Sequence, residues 1–135
     1  MCAGFLDSPA SEDLKSKDQN FQKHEEIWYT KINVDEDQNQ YVRYAAQISN
    51  NDLDFLATLE AENGLWTSDR VGHTEDLGFC QISPQYHAKI TNDKRFFSDP
   101  YWQLDQCWQL YSGGTRFYGY DKRKSHYHKF IKWTF

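Results

Sequence analysis

The residues in this sequence best suited to chemistry are carboxylates. Glu62 closes a run, Leu53 to Glu62, in which Phe55, Leu56 and Leu59 share one helical face. It stands seven residues after Phe55 and three after Leu59, which brings it to the edge of that face. Partial burial there disfavours the charged form, and so does the negative end of the helix dipole. Both push the pKa upward, the direction a general acid needs near neutral pH. Glu60 borders the same face on its other side, so helical phase alone separates the two poorly. The plainer reading of either residue is a solvated surface carboxylate. Asp69, Glu75 and Asp76 follow in the next loop. One of them could serve as a second carboxylate, or all three could cap turns and meet solvent.

Other chemistries are poorly served. His126 and His128 stand two apart, on one face of a strand if the segment is extended, with no third ligand in view. No metal site is therefore expected, and no cofactor is implied. His73 reads as a solvated loop histidine. Asp35 to Asn39 begins like a calcium loop but lacks the glycine and the closing glutamate that such a loop needs, and is rejected. There is no arguable Ser-His-Asp or Cys-His pattern and no glycine-rich phosphate loop.

The elements that must position Glu62 follow from pattern and capping. Residues 1–24 are polar and read as a flexible lead-in, leaving residues 25–135 as one domain. Glu25 to Val34 packs somewhere, with a period ambiguous between helix and strand. Residues 40–48 look helical, with Val42, Ala45, Ala46 and Ile48 as the apolar set. Asn51 is the expected N-cap of the helix Leu53 to Glu62, and Gly64 its expected left-handed C-cap. Residues 65–78 read as a loop or small hairpin. Ser83-Pro84 suits a helix start, and Asp99-Pro100 opens another helix, roughly Tyr101 to Tyr111, ended by Gly113-Gly114. The expected fold class is mainly α, with a small loop or β insertion after the helix that carries Glu62.

Two motifs extend this reading. Phe55-Leu56-Ala57-Thr58-Leu59-Glu60-Ala61-Glu62-Asn63-Gly64 is followed by Leu77-Gly78-Phe79-Cys80-Gln81-Ile82-Ser83-Pro84, with Gln81 lying 19 residues after Glu62. Together with Tyr44-Ala45-Ala46-Gln47-Ile48 they resemble the lysozyme-like catalytic domain of lytic transglycosylases and goose-type lysozymes, over roughly residues 40–120. That family carries a Glu-Ser-Gly-like motif and then a Gly-Leu-Met-Gln-Ile-like motif. The resemblance selects Glu62 over Glu60, because the acid directly precedes a small polar residue and glycine. It implies an α+β lysozyme-like fold and cleavage of peptidoglycan between N-acetylmuramic acid and N-acetylglucosamine.

In a lytic transglycosylase resembling this chain, Glu62 alone donates and then accepts a proton, and the sugar's own 6-hydroxyl attacks. In a muramidase, Asp69, Glu75 or Asp76 would assist a water. A module that binds peptidoglycan without cutting it is a further reading. Gln81 would hydrogen-bond substrate from the cleft floor or act as a structural amide, and Ser83 would cap its helix or touch substrate. The late Ala-Tyr-Asn-Ala-Gly-like motif is not clearly present; Phe117-Tyr118-Gly119-Tyr120 stands in for it, with Tyr118 or Tyr120 as the substrate-binding tyrosine. Asn63 replaces the usual serine and Cys80 the usual methionine.

Composition bounds the rest. The chain has 135 residues, 17% of them aromatic, and a net charge of −5. Aromatics at this level supply core, and some can line a sugar cleft. Residues 1–40 hold nine acids and four bases. The acidity therefore belongs to the N-terminal segment and argues against nucleic acid as a partner. The final stretch is basic and aromatic, suited to an anionic surface such as a cell wall or simply to solvent. Cys80 and Cys107 are candidates for a disulfide, with two buried thiols as the alternative. The resemblance favours the disulfide, because it packs the Gln81 segment against the following helix. Cys2 could be the remnant of a lipid-modified cysteine. No apolar run is long enough for a signal or a transmembrane helix. The expected location is extracytoplasmic, on the wall or within a phage or secretion apparatus, with residues 1–40 available to a partner.

Overall fold

The computed structural model describes residues 21–35 and 37–132. Cys2 and residues 1–20 of the expected lead-in lie outside them. Three short strands come first: β1 (Gln22–His24), β2 (Ile27–Tyr29) and β3 (Lys31–Ile32). β1 and β2 form an antiparallel hairpin in which Gln22 pairs with Tyr29, so the packed structure already includes the end of the segment read as lead-in. The ambiguous run from Glu25 is thus strand. Ile27 and Tyr29 share one face of β2, and these two and Ile32 of β3 pack toward the core.

Two helices follow. α1 (Gln40–Ile48) is capped by Asn39, whose side chain accepts from the Tyr41 N–H at 2.8 Å. It buries Val42, Ala45 and Ala46. Asn50 and Asn51 then take left-handed backbone, at φ 55° and 61°. This overturns Asn51 as the next cap, because a capping residue needs extended backbone. Asp52 has it, and accepts from Phe55 N–H at 2.9 Å. α2 (Leu53–Glu62) buries Leu53, Phe55, Leu56, Ala57, Thr58 and Leu59, almost its whole circumference. It ends at Asn63; Gly64 is not left-handed and does not cap it.

After a loop that includes β-bridges joining Val71 to Leu77 and Leu77 to Ile82, Ser83-Pro84 makes a turn and not a helix. The Ser83 carbonyl accepts from Tyr86 and His87 N–H. Helix resumes only in α3 (Ala88–Thr91), preceded by His87, so Ser83 caps nothing. α4 (Arg95–Ser98) leads into α5 (Pro100–Ser112), capped by Asp99 through Trp102 N–H. Residues 118–129 then run as 3-10 helical turns, which overturns the strand reading of His126 and His128. Between them Tyr127 turns into the core. β4 (Ile131–Lys132) returns to pair with β3. The architecture is mainly helical with short strands. Among the described residues no helix is long and apolar enough to cross a membrane.

α2 is the central element. The 3-10 segment packs along it, while α1 packs against α5. A polar cluster joins the first strands to these elements. Asp54 Oδ1 accepts from Arg123 Nε at 2.7 Å and from the Tyr127 hydroxyl, with His24 Nε2 at 3.1 Å. Glu25 accepts from Arg123 at 2.9 Å and pairs with Lys124 at 3.1 Å. His24, Glu25 and Asp54 come close enough to suggest a metal site, but Arg123 already supplies the cation. Cys80 and Cys107, both fully buried, form a disulfide with Cα atoms 6.1 Å apart, fastening the loop after α2 to α5.

Two measurements test this account. Alanine at both Cys80 and Cys107 lowers the unfolding free energy by about 2–4 kcal/mol, read from urea denaturation, because the bridge closes a long loop. Burial alone would raise the Asp54 pKa, but the bonds from Tyr127, Arg123 and His24 outweigh it and hold the carboxyl below its ordinary range. Ionised Asp54 therefore stabilises the fold above that range, and the contribution is lost as pH falls below about 4. Thermal midpoints followed downward in pH should drop more steeply for the wild type than for Asp54→Asn.

Candidate functional site

Glu62 is the last residue of α2, and the loop that faces it is held by two buried amides. Asn63 is 1% exposed, and its Nδ2 donates to the carbonyls of Thr67 at 2.6 Å and Gly78 at 3.1 Å. Gln103, on α5, is fully buried. Its Oε1 accepts from Phe79 N–H at 2.7 Å, and its Nε2 donates to Phe96 O at 2.8 Å and Ser68 O at 3.0 Å. Gly78 must be glycine here. Its φ is +83°, and a Cβ would stand 2.1 Å from Gln103 Oε1. Asn63 and Cys80 thus both hold the loop, the first by its amide and the second by its disulfide.

The other side of Glu62 is formed by the 3-10 segment. The backbone N–H of Gly119 donates to Glu62 Oε2 at 2.6 Å. A Cβ at Gly119 would lie 2.8 Å from both Thr58 O and Glu62 Cγ, so the close approach requires glycine. Burial raises the Glu62 pKa. The Gly119 bond opposes it, Asp76 adds to it, and Lys122 and Arg70 oppose it. Glu60 has a different fate. It accepts from Trp66 Nε1 at 2.7 Å and pairs with Lys129 at 2.8 Å, which makes it a brace between α2, the loop and the 3-10 segment.

Two cavities meet at Glu62. The smaller, about 230 Å³, is lined by Glu62, Asp76, Gln81, Ser83, Tyr86 and Tyr118 among others. The larger, about 660 Å³, shares Glu62, Asp76, Gln81 and Tyr118 and adds Arg70, His73 and Lys122. A further concavity beside α1, lined by Arg43 and Gln47, holds none of the candidate residues.

The structure therefore brings together Glu62, Asp76, Gln81, Ser83 and Tyr118. It leaves out the other candidates. Asp69 and Glu75 are exposed and outside both cavities, Glu75 sitting at φ 64° in the tight turn. Tyr120 turns away to pack on Tyr111 and under the Arg123 guanidinium, 3.8 Å from its ring centre. Gln81 lines both cavities, but its Nε2 donates to Gly78 O at 3.0 Å and Arg70 O at 3.4 Å, so the amide also ties the loop together. Sequence reasoning missed Tyr86. It is 76% exposed and Tyr118 74% exposed, and the two rings edge the smaller cavity. Nothing in the periodicity marks Tyr86. Gly119 stands within the Phe117-Tyr118-Gly119-Tyr120 stand-in motif, where only the tyrosines carry an expected role.

No family model, no curated protein and no solved structure matches this chain. The site is read from its own geometry: a carboxyl group made less acidic by burial, placed at the midpoint of a two-part cleft. The sign of its coupling to Asp76 is testable. Removing that neighbouring negative charge with Asp76→Asn lowers the Glu62 pKa, and Lys122→Ala raises it. Side-chain carboxyl titration by NMR should show shifts of opposite direction in the two variants.

Proposed function

We propose that this protein cleaves peptidoglycan glycan strands between N-acetylmuramic acid and N-acetylglucosamine, as a lytic transglycosylase with Glu62 as its single acid/base. The observation that carries the reading is the placement of Glu62. Its carboxyl is largely withdrawn from water, one oxygen is bound by Gly119 N–H, and the residue lines both cavities. A glycoside needs a proton delivered to the leaving oxygen between two bound sugars. A carboxyl group of raised pKa at the junction of two cavities suits that task. The exposed rings of Tyr86 and Tyr118 offer flat apolar faces to the C–H face of a pyranose. After the bond breaks, the same carboxylate accepts the proton of the sugar's 6-hydroxyl as that oxygen closes on the anomeric carbon, giving an anhydro end. Gly119 holds the carboxylate ready between the two transfers.

Hydrolysis is the second reading, and one observation favours it. Of the three loop acids, Asp76 alone lines both cavities beside Glu62. It is the residue that would position a water in a muramidase. The disulfide suits a protein working outside the reducing cytoplasm, at the wall that carries this substrate.

Glu62→Gln is nearly isosteric and removes only the titrating proton. It should reduce wall-clearing activity by about 10²–10⁴-fold with an unchanged thermal midpoint. Glu60→Gln should keep its activity, since Glu60 braces the fold. Mass spectrometry of the products separates the two chemistries: anhydro ends with an active Asp76→Ala variant support the transglycosylase. Reducing ends together with a dead but folded Asp76→Ala variant would establish the muramidase instead.

A further inference from the structure

The two halves of the cleft differ in charge. Most arginines and lysines near the site are paired: Arg116 with Asp121, Arg123 with Asp54 and Glu25, Lys124 with Glu25, Lys129 with Glu60. Arg70 and Lys122 both line the larger cavity, and neither makes an ion pair among the described residues, although both act through space on the Glu62 carboxyl. They come from different elements, Arg70 from the loop after α2 and Lys122 from the 3-10 segment. The Arg70 backbone is held through its carbonyl, which accepts from Gly78 N–H at 2.8 Å. The Lys122 ammonium lies over the Tyr118 ring, 4.8 Å from its centre. The remaining titratable groups of this cavity are Glu62, Asp76 and His73. The smaller cavity has one arginine, Arg116, and that charge is paired with Asp121 at 2.6 Å.

Two unpaired cations in a concave site repel each other and attract an anion more strongly than they would on open surface. We propose that the larger half of the cleft is a carboxylate-binding subsite, in which Arg70 and Lys122 receive the acidic group of a carboxylate-bearing sugar, while the smaller half takes a neutral one. This rests on the glycan-cleaving reading and deepens it. In a strand that alternates acidic and neutral sugars, it fixes the direction in which the strand lies across Glu62 and the class of bond presented to it. A neutral polymer of N-acetylglucosamine would lack the anchoring charge.

The test uses the full chain carrying Glu62→Gln, so that ligands bind without being cut. Calorimetry compares a tetrasaccharide of alternating N-acetylglucosamine and N-acetylmuramic acid with the same molecule after methyl esterification of its carboxylates. The free acid should bind about tenfold more tightly at low salt, an advantage that shrinks as salt rises. Adding Arg70→Gln and Lys122→Gln should abolish the advantage while leaving ester affinity within about twofold, since both side chains are exposed. Lys122→Glu, a second and independent change, should turn the preference toward the ester. Equal binding of acid and ester, or a preference that survives the double substitution, overturns the subsite and leaves the cleavage proposal standing. Failure of both tetrasaccharides to bind overturns the subsite and the cleavage proposal together.

Discussion

The structure depends on one close approach, that of the backbone around Gly119 to the last turn of α2. There is no room for a side chain between them. The contact buries Glu62 on one side, supplies a backbone hydrogen bond to its carboxylate, and leaves Tyr118 lining the cleft while Tyr120 packs on Tyr111. Everything that holds the 3-10 segment in place therefore acts on Glu62 at a distance. Arg123 and Tyr127 anchor the segment to Asp54, two turns earlier on the same helix. Lys129 anchors it again through Glu60. Three acidic residues of one helix are thus treated in three ways. Two are engaged in bonds that serve the fold, and the third lines the cleft.

The opposite wall is built on a different principle. The loop after α2 buries Trp66, Phe79, Cys80 and Ile82 in the core, and several of its backbone groups find partners in side-chain amides. Asn63 and Gln103 each bond to two or more main-chain groups of the loop or its neighbours. Gln103 has both ends of its amide bonded, while Asn63 Oδ1 is buried without a partner, so it is Gln103 whose bonds specify one arrangement of the loop over others. The disulfide adds a covalent limit to the same segment.

Much of this was legible in the sequence, and the failures are informative. The helices over residues 40–48 and 53–62 follow from apolar spacing and polar breaks, and both appear with those bounds. The helix after Asp99-Pro100 follows from its cap and proline. What could not be read was backbone sign: Asn51 and Gly64 looked like caps by residue type, but the first is left-handed and the second is not. Residue type states what a position tolerates, and tertiary packing decides what it adopts. The same limit applies to Ser83-Pro84, where the favourable composition yields only a turn. Glu62 and Glu60 could not be separated by helical phase, because the distinction lies in Trp66 and Lys129, which reach Glu60 from other elements. Asp76 could not be separated from Asp69 and Glu75, since loop acids acquire their positions only from the turn that carries them.

The pairing of β3 with β4, and the bond from Gly119 to Glu62 across a separation of 57 residues, have a consequence for the order of events in synthesis. A chain made from its N-terminus completes α2 long before the segment that covers it. Until then Glu62 stands in water as an ordinary carboxylate. Its carboxyl becomes less acidic only when residues 118–129 have folded back against α2. The environment of Glu62 is therefore a product of the whole described fold and of no earlier part of it.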